Sequence, residues 1–182
     1  MAIQMIFCVE TNKKADTDSI YIVETLRQFY RIDNKVKINK VYMGAKSRYK
    51  SKDVLREVES KIKAFKIGET KVIYCIDTDD YEINPDHERE FREISAHCQQ
   101  YGYDLIWFCH EVEEVFIGSR VVDSQKVKKA AEFRKNNRIR EIKPERISVL
   151  ERRSCTSNIM NILDKYLERN NIVRSSEKKV RL

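Results

Sequence analysis

Three short apolar runs constrain the fold of this chain more than any other feature of its sequence. They cover Ala2 to Val9, Lys71 to Ile76 and Asp104 to Cys109, and their β-branched and aromatic residues are typical of strands buried on both faces. A fourth run, Lys35 to Met43, has fewer apolar positions and predicts a partly covered strand near a sheet edge. Apolar residues with helical spacing fill the segments between the runs. The order βαβαβαβ therefore predicts an α/β fold, with a mostly parallel four-stranded sheet flanked by helices.

Residues after the last run lack strand patterns and are predicted to be helical. The charged stretch from Ser124 to Lys135 is one predicted helix, and Asn158 to Leu167 is the last, with a Ser or Thr before it as the N-cap. We expect an α/β core in residues 1–119, a basic helical extension packed on the core in 120–170, and a disordered basic tail in 171–182.

Charge is divided unevenly along the chain. Residues 1–119 contain 18 Lys and Arg against 21 Asp and Glu, whereas residues 120–182 contain 18 against 8. An acidic first part would suit a bound cation, and a basic second part would suit a polyanion such as nucleic acid. A solvated basic helical surface would give the second part the same composition.

Composition also narrows the class of protein. No apolar run approaches the ~20 residues needed to span a bilayer, and the apolar start lacks the basic region and cleavage site of a signal peptide. We therefore expect a cytoplasmic protein without a membrane span. The five cysteines have no CxxC spacing, so they are predicted to be free and mostly buried.

Acidic residues directly follow three of the four predicted strands. Ligands of open parallel sheets bind beyond the carboxyl ends of the strands, so these residues are the first candidates for a functional site. They are Glu10 after the first strand, Asp77, Asp79 and Asp80 after the third, and Glu111, Glu113 and Glu114 after the fourth.

Carboxylates gathered in one cleft predict a site for Mg²⁺ or Mn²⁺, hard cations that prefer oxygen ligands. At an extended strand end, Asp77 and Asp79 would point to the same side and address one ion. A cation would also remove the repulsion between the carboxylates. Taken singly, each of these residues would equally serve to cap a helix or start a turn. His110, beside the last acidic group, is a candidate for orienting a ligand or carrying a proton.

The acidic pattern resembles that of the Toprim domain, which is found in topoisomerases, primases and OLD-type nucleases. The shared features are a Glu at the end of the first strand, here Glu10, a DxD at the end of the third, here Asp77 and Asp79, and an acidic residue after the fourth. Within that group the chain is most similar to the RloB-like branch of bacterial phage-defence and abortive-infection proteins.

Three passages carry the similarity to the RloB-like branch. They are VETNKKADTDSIY, with Glu10, Thr17, Asp18 and Tyr21; Glu114 ahead of Val115 and Phe116; and SCTSNIMNILDKYL from Ser154. The chain differs from the family at Thr11, which stands where the family has glycine, and it has no glycine after DTDD.

The resemblance implies a Toprim-like, Rossmann-like fold and a Mg²⁺-dependent nuclease acting on DNA or RNA in phage defence. Glu10 would act as general acid/base or join the metal shell, while Asp77 and Asp79 would bind the ion. Glu114 would join them, with Asp80 as a further metal ligand and Glu113 as the alternative to Glu114. The metal would stabilise charge on a phosphodiester and activate a water. A partner protein such as an ATPase is also implied.

Basic residues supply the candidate nucleic-acid contacts. Residues 120–153 contain 12 Lys and Arg against 5 Asp and Glu, and phosphate contacts made by such residues would be independent of base sequence and sensitive to salt. The predicted contacts are Lys13 and Lys14 in the loop after Glu10, together with Arg134, Lys135, Arg138, Arg140 and Lys143. Two other functions stay open at this point: a non-catalytic module that binds nucleic acid or a partner protein, and a PIN-type nuclease, although that type uses Asp where this chain has Glu10.

Overall fold

The computed structural model describes residues 2–170 and contains one sheet of four parallel strands flanked by helices, which confirms the predicted α/β, Rossmann-like arrangement. Three short 3₁₀ turns lie at Lys46–Arg48, Arg138–Glu141 and Pro144–Ile147. The strands and α-helices are β1 (Ala2–Val9), α1 (Asp18–Phe29), β2 (Val36–Tyr42), α2 (Lys52–Ala64), β3 (Gly68–Asp77), α3 (Pro85–Tyr101), β4 (Asp104–Phe108), α4 (Val112–Ile117), α5 (Asp123–Lys135) and α6 (Ile159–Leu163).

The strands are arranged in the order β2-β1-β3-β4, so β1 and β3 occupy the centre. Alternate residues of β1 enter two different apolar cores: Met5 and Phe7 lie in the larger core with α1, α4, α5 and α6, while Ile6 and Cys8 lie in the smaller core with α2 and α3. Both faces of the central strands are thus covered, as their continuous apolar runs predict.

Local sequence signals explain where several elements begin and end. Helix α3 follows Asn84, whose side chain accepts the N–H of Asp86 at 3.0 Å, and Pro85 occupies its first turn. The helix ends at Gly102, which has a φ of 65°. The first residue of β3, Gly68, must be a glycine, because a Cβ there would lie 1.9 Å from the backbone oxygen of Ala2 on the neighbouring strand.

The sheet order places a topological switch point between the ends of β1 and β3. The chain leaves β1 toward α1 on one face and leaves β3 toward α3 on the other, so the two connections diverge at neighbouring strands. In open α/β sheets such a switch point is where ligands bind. Glu10 follows β1 and Asp77 ends β3, so both residues lie at this switch point.

The C-terminal segment covers the outer edge of β4. The side chain of Asn158 accepts the N–H of Trp107 and donates to the carbonyl of Leu105, both at 2.9 Å. The N–H of Cys109 donates to the Thr156 carbonyl at 2.9 Å, and Ser157 is paired with Phe108. These bonds satisfy backbone groups that an exposed edge strand would leave open.

Two local predictions were wrong. Helix α6 ends at Leu163 and not at Leu167, because residues 168–170 turn back to pair with the backbone that follows α1. The extended strand conformation also ends at Asp77, since Asp79 has a φ of 48° in the left-handed region. The predicted tail, 171–182, lies outside the described residues. No helix among residues 2–170 has the length and apolar character needed to cross a membrane.

Candidate metal centre

Glu10 and Asp77 are linked directly at the carboxyl end of the sheet. One Glu10 oxygen, Oε1, accepts the backbone N–H of Asp77 at 2.6 Å, and Oδ1 of Asp77 accepts the N–H of Val112 at 2.9 Å. These bonds join the ends of β1 and β3 to the start of α4. The second oxygen of each carboxylate takes no part in these backbone hydrogen bonds.

Asp18 and Glu113 complete a group of four carboxylates, which we call the acidic cluster. Asp18 is the first residue of α1 and accepts the N–H of Thr11 at 3.3 Å. Glu113 lies in the first turn of α4 with 1% of its surface exposed, and neither of its oxygens has a hydrogen-bond partner among the described residues. The buried hydroxyl of Tyr21 also has no hydrogen-bond partner within residues 2–170.

The carboxylates of the acidic cluster disfavour one another's ionisation. Burial, followed by the charge of Asp18, raises the pKa of Glu10 to about 8. Burial and the charges of Glu10, Asp18 and Glu113 hold the pKa of Asp77 well above its usual range. Burial also raises the pKa of Asp18, and it raises that of Glu113 to about 6. Such shifts mark sites where a proton or a cation must compensate buried negative charge.

Two lysines approach the acidic cluster from opposite sides. Lys46, in the 3₁₀ turn after β2, has 8% of its surface exposed; it pairs with Asp79 and donates to the Asp77 carbonyl at 3.2 Å. Lys126 of α5 lies 3.7 Å from Glu113 and 3.2 Å from Glu111. Burial opposes the shift, but the neighbouring carboxylates raise the pKa of both lysines, so both ammonium groups stay charged.

Three predicted metal ligands make their side-chain contacts with residues outside the acidic cluster. Asp79 pairs with Lys46, and Asp80 pairs with Arg120. Glu114 accepts the hydroxyl of Ser154 at 2.9 Å and contacts Nδ1 of His110 at 3.0 Å. Of the two glutamates between which the sequence could not decide, Glu113 is the one whose charge acts on Asp77, and Glu114 contacts His110.

His110 lies between two carboxylates on the other side of Asp79. Its Nε2 is 3.1 Å from Glu82, and its Nδ1 faces Glu114. Among residues 2–170, Glu82, Cys109 and His110 form the one group of three potential metal ligands whose ligand atoms all lie within 4.8 Å of one another. Within the same residues, no three carboxylates of the acidic cluster have ligand atoms that close to one another.

The predicted nucleic-acid contacts lie at two places. Lys13 and Lys14 are exposed in the loop between Glu10 and α1. The remaining five form a basic cluster of Arg134, Lys135, Arg138, Arg140 and Lys143, of which all but the half-buried Arg138 are exposed.

Part of the basic cluster borders a cleft. Arg140 and Lys143 line a cleft of about 750 Å³ together with Phe29, the last residue of α1. Asp18 is the first residue of the same helix, and a 12-residue helix separates its two ends by about 17 Å. The cleft and the acidic cluster are therefore distinct places on the surface.

Sequence reasoning from the strand ends missed Asp18, Lys46 and Lys126. Asp18 belongs to VETNKKADTDSIY, where only the family resemblance drew attention to it, although the start of a helix that follows β1 must lie near Glu10. Lys46 follows β2, whose carboxyl end meets the same end of the sheet. Lys126 carries no local signal, because its position depends on how α5 packs on α1 and α4.

Comparison with family models, curated proteins and solved structures gives no match to this chain. The fold and site define an α/β domain with a group of carboxylates at the switch point of a parallel sheet.

Proposed function

We propose that the acidic cluster binds Mg²⁺ or Mn²⁺ and that the protein is a metal-dependent nuclease of the Toprim type, acting on DNA or RNA in bacterial phage defence. The observation that carries this proposal is Glu113, a glutamate with 1% exposure whose oxygens have no hydrogen-bond partner among the described residues. It lies beside the buried Asp18 and the half-buried Glu10 and Asp77. The nuclease class and the role in defence rest on the resemblance to the RloB-like branch.

The donor set of the acidic cluster suits a hard divalent cation. A buried carboxylate that accepts no hydrogen bond is costly, and a bound cation offsets that cost for several carboxylates at once. Mg²⁺ commonly takes one or two protein carboxylates and completes its shell with water and substrate phosphate. Glu10 and Asp77 would bind the ion through the carboxylate oxygens that do not accept the backbone hydrogen bonds. Glu113 would accept hydrogen bonds from the water ligands of the ion.

Residues of the chain would supply the remaining chemistry. When bound, the ion polarises a phosphoryl oxygen and lowers the pKa of water. Glu113, with a pKa of about 6, is matched to accept a proton near neutral pH. Lys46 and Lys126 supply positive charge beside the carboxylates, which would attract the phosphodiester. Lys13, Lys14 and the basic cluster would contact the phosphates of the rest of the strand.

One observation favours a second function, that of a non-catalytic binding module. Lys46 and Lys126 already place two positive charges against the acidic cluster and its neighbours, so part of its charge is compensated within the chain. In that case the basic cluster would bind nucleic acid or an acidic partner protein such as an ATPase, and the acidic cluster would be structural.

A cleavage assay separates the two functions. We expect the purified protein to cut at least one of single-stranded DNA, duplex DNA, single-stranded RNA and transfer RNA in Mg²⁺ or Mn²⁺. Asp77→Asn should abolish cutting, while Asp53→Asn, at an exposed carboxylate of α2, should leave it unchanged. Binding of these substrates without cutting by the wild type, in either ion, would favour the binding module.

A further inference from the structure

The histidine cluster, which we define as Glu82, Cys109 and His110, presents one sulfur, one nitrogen and one oxygen ligand to a common point. A ligand atom from each residue lies within 4.8 Å of the other two, and Nε2 of His110 is 3.1 Å from the Glu82 carboxylate. We propose that this cluster is a binding site for Zn²⁺ or a similar borderline transition-metal ion. The site is separate from the acidic cluster and goes beyond the proposed function.

The chemistry of the ligands selects the class of metal. Thiolate and imidazole favour Zn²⁺ and its neighbours over Mg²⁺ and Ca²⁺, which take oxygen ligands. Zn²⁺ bonds to sulfur at about 2.3 Å and to nitrogen or oxygen at about 2.0–2.2 Å. The three ligand atoms lie within 4.8 Å of one another and would draw closer together around an ion to reach those lengths. Three protein ligands leave the fourth tetrahedral position to water or to an exogenous ligand.

The backbone on both sides of the ligands is fixed. Cys109 donates its N–H to Thr156, His110 donates its N–H to the Thr78 hydroxyl, and the His110 carbonyl accepts the N–H of Asp79, each at 2.9 Å. The φ of His110 is 62°, an uncommon conformation for a residue with a side chain. Two consecutive ligands are thus held in place before any ion binds, which lowers the ordering cost of binding.

A second carboxylate lies behind the histidine. Glu114 contacts Nδ1 of His110 at 3.0 Å and is itself held by the Ser154 hydroxyl at 2.9 Å. Metal-bound histidines commonly donate their other ring nitrogen to a carboxylate, which fixes the tautomer and increases ligand basicity. Glu114 would keep the proton on Nδ1, and loss of the Nε2 proton, which now faces Glu82, would free the Nε2 lone pair for the ion.

An ion can reach the site from solvent. The Glu82 side chain is 46% exposed, whereas that of His110 is 17% exposed and Cys109 is fully buried. The ion would enter past Glu82, and its coordination would release two protons to solvent, one from the buried Cys109 thiol and one from Nε2 of His110. In the metal-free protein the same imidazole lies between the Glu82 and Glu114 carboxylates. The ion would take the place of the proton between Nε2 and Glu82.

Cobalt spectroscopy tests the site directly. Co²⁺ added to the full chain should give tetrahedral visible bands and a sulfur-to-cobalt charge-transfer absorption, both displaced by Zn²⁺. Cys109→Ala should abolish the charge-transfer absorption, and Glu82→Gln, at an exposed position, should weaken Co²⁺ binding. Glu114→Gln should weaken it by about 10- to 100-fold, the range typical of carboxylates behind metal-bound histidines.

Matched variants make the result interpretable. Cys155→Ala removes a more accessible thiol and should keep the charge-transfer absorption. Glu10→Gln, in the acidic cluster, should also keep it, so that failure of the Mg²⁺ site and of this site can be told apart. A wild type that binds neither Co²⁺ nor Zn²⁺, or an absorption that is lost in Cys155→Ala and kept in Cys109→Ala, would overturn the proposal. Thermal melts of each variant establish that it is folded.

Discussion

Glu10 accepts the backbone N–H of Asp77 at 2.6 Å, so the carboxylate after the first strand is bound to the last residue of the third. This bond crosses the switch point of the sheet and holds the Glu10 side chain against the end of β3. A hydrogen bond from the backbone favours the ionised form of Glu10, but burial and nearby charges outweigh it. Glu10 therefore holds a proton at neutral pH in the metal-free protein, and a bound cation would take the place of that proton.

Replacement of Glu10 by Gln should change how stability depends on pH. Because the folded-state pKa of Glu10 is about 8 and the unfolded value is about 4.3, the folded protein binds a proton that the unfolded chain loses. The stability of the metal-free protein should fall as pH rises from about 5 to 8, by on the order of a few kcal/mol. Glu10→Gln should flatten this fall in urea unfolding.

The exposed Glu93 provides the control, since Glu93→Gln should keep the wild-type pH dependence. Mg²⁺ should stabilise the wild type at pH 8 and should stabilise Glu10→Gln much less. A metal-free wild type that becomes more stable between pH 5 and 8 would show that Glu10 is not the protonated group described here.

Adjacent glutamates of α4 should respond differently to substitution. The charge of Glu113 acts on Asp77, so Glu113→Gln should weaken Mg²⁺ binding by about tenfold or more, as loss of a supporting carboxylate does elsewhere. Glu114 faces His110 and Ser154, so Glu114→Gln should leave Mg²⁺ affinity nearly unchanged. Isothermal titration calorimetry on both variants checks the pair, and the reverse ranking would mean that α4 presents its other glutamate to the ion.

Asn158 should contribute to stability by closing the edge of β4. Asn158→Ala removes partners from the Trp107 N–H and the Leu105 carbonyl, and each orphaned backbone group costs roughly 1–3 kcal/mol when buried. We expect a loss of about 2 kcal/mol in denaturant unfolding. Asn136→Ala, at an exposed position, should change stability by less than about 0.5 kcal/mol. Equal effects of the two variants would contradict the edge-closing role.

The basic cluster should account for much of the salt dependence of nucleic-acid binding. Replacing Arg134, Lys135, Arg140 and Lys143 by Ala should reduce the slope of log K against log salt by about 0.9 for each duplex phosphate that the protein no longer neutralises. Fluorescence anisotropy over a range of salt concentrations measures this slope. Arg56, Lys63 and Lys66 are exposed residues of α2 and the loop after it, on the opposite face. If replacing these three residues by Ala reduced the salt slope as much, the basic cluster would not be the nucleic-acid contact.

The alternation of apolar runs and helical spacing was enough to predict the sheet and most helices. The apolar runs identified the buried middle of β3 but not its full length. This strand begins at Gly68, and its polar residues Glu69 and Thr70 adopt the strand conformation because they pair with β1. Helix α6 was predicted too long for the same kind of reason, since pairing of residues 168–170 with the chain after α1 overrides local helical spacing.

The acidic cluster was only partly predictable, because some of its residues are placed by strand topology and others by tertiary packing. Strand ends identify Glu10 and Asp77 because parallel topology brings them together. The direction of Glu113 depends on the bond between Asp77 and the N–H of Val112, which fixes where α4 begins, and adjacent residues of a helix point about 100° apart. Lys46 and Lys126 enter through tertiary packing, for which the sequence has no periodic signal.

The central claim is that the acidic cluster binds a divalent cation, and a calorimetric titration of Mg²⁺ and Mn²⁺ tests it most directly. We predict that the wild type binds at millimolar concentration or below, more tightly at pH 8 than at pH 6 because ionised carboxylates are required. Asp77→Asn should abolish this binding, and Asp53→Asn should not. A folded wild type that binds neither ion at millimolar concentration at pH 8, with its carboxylates compensated by Lys46 and Lys126 alone, would contradict the account.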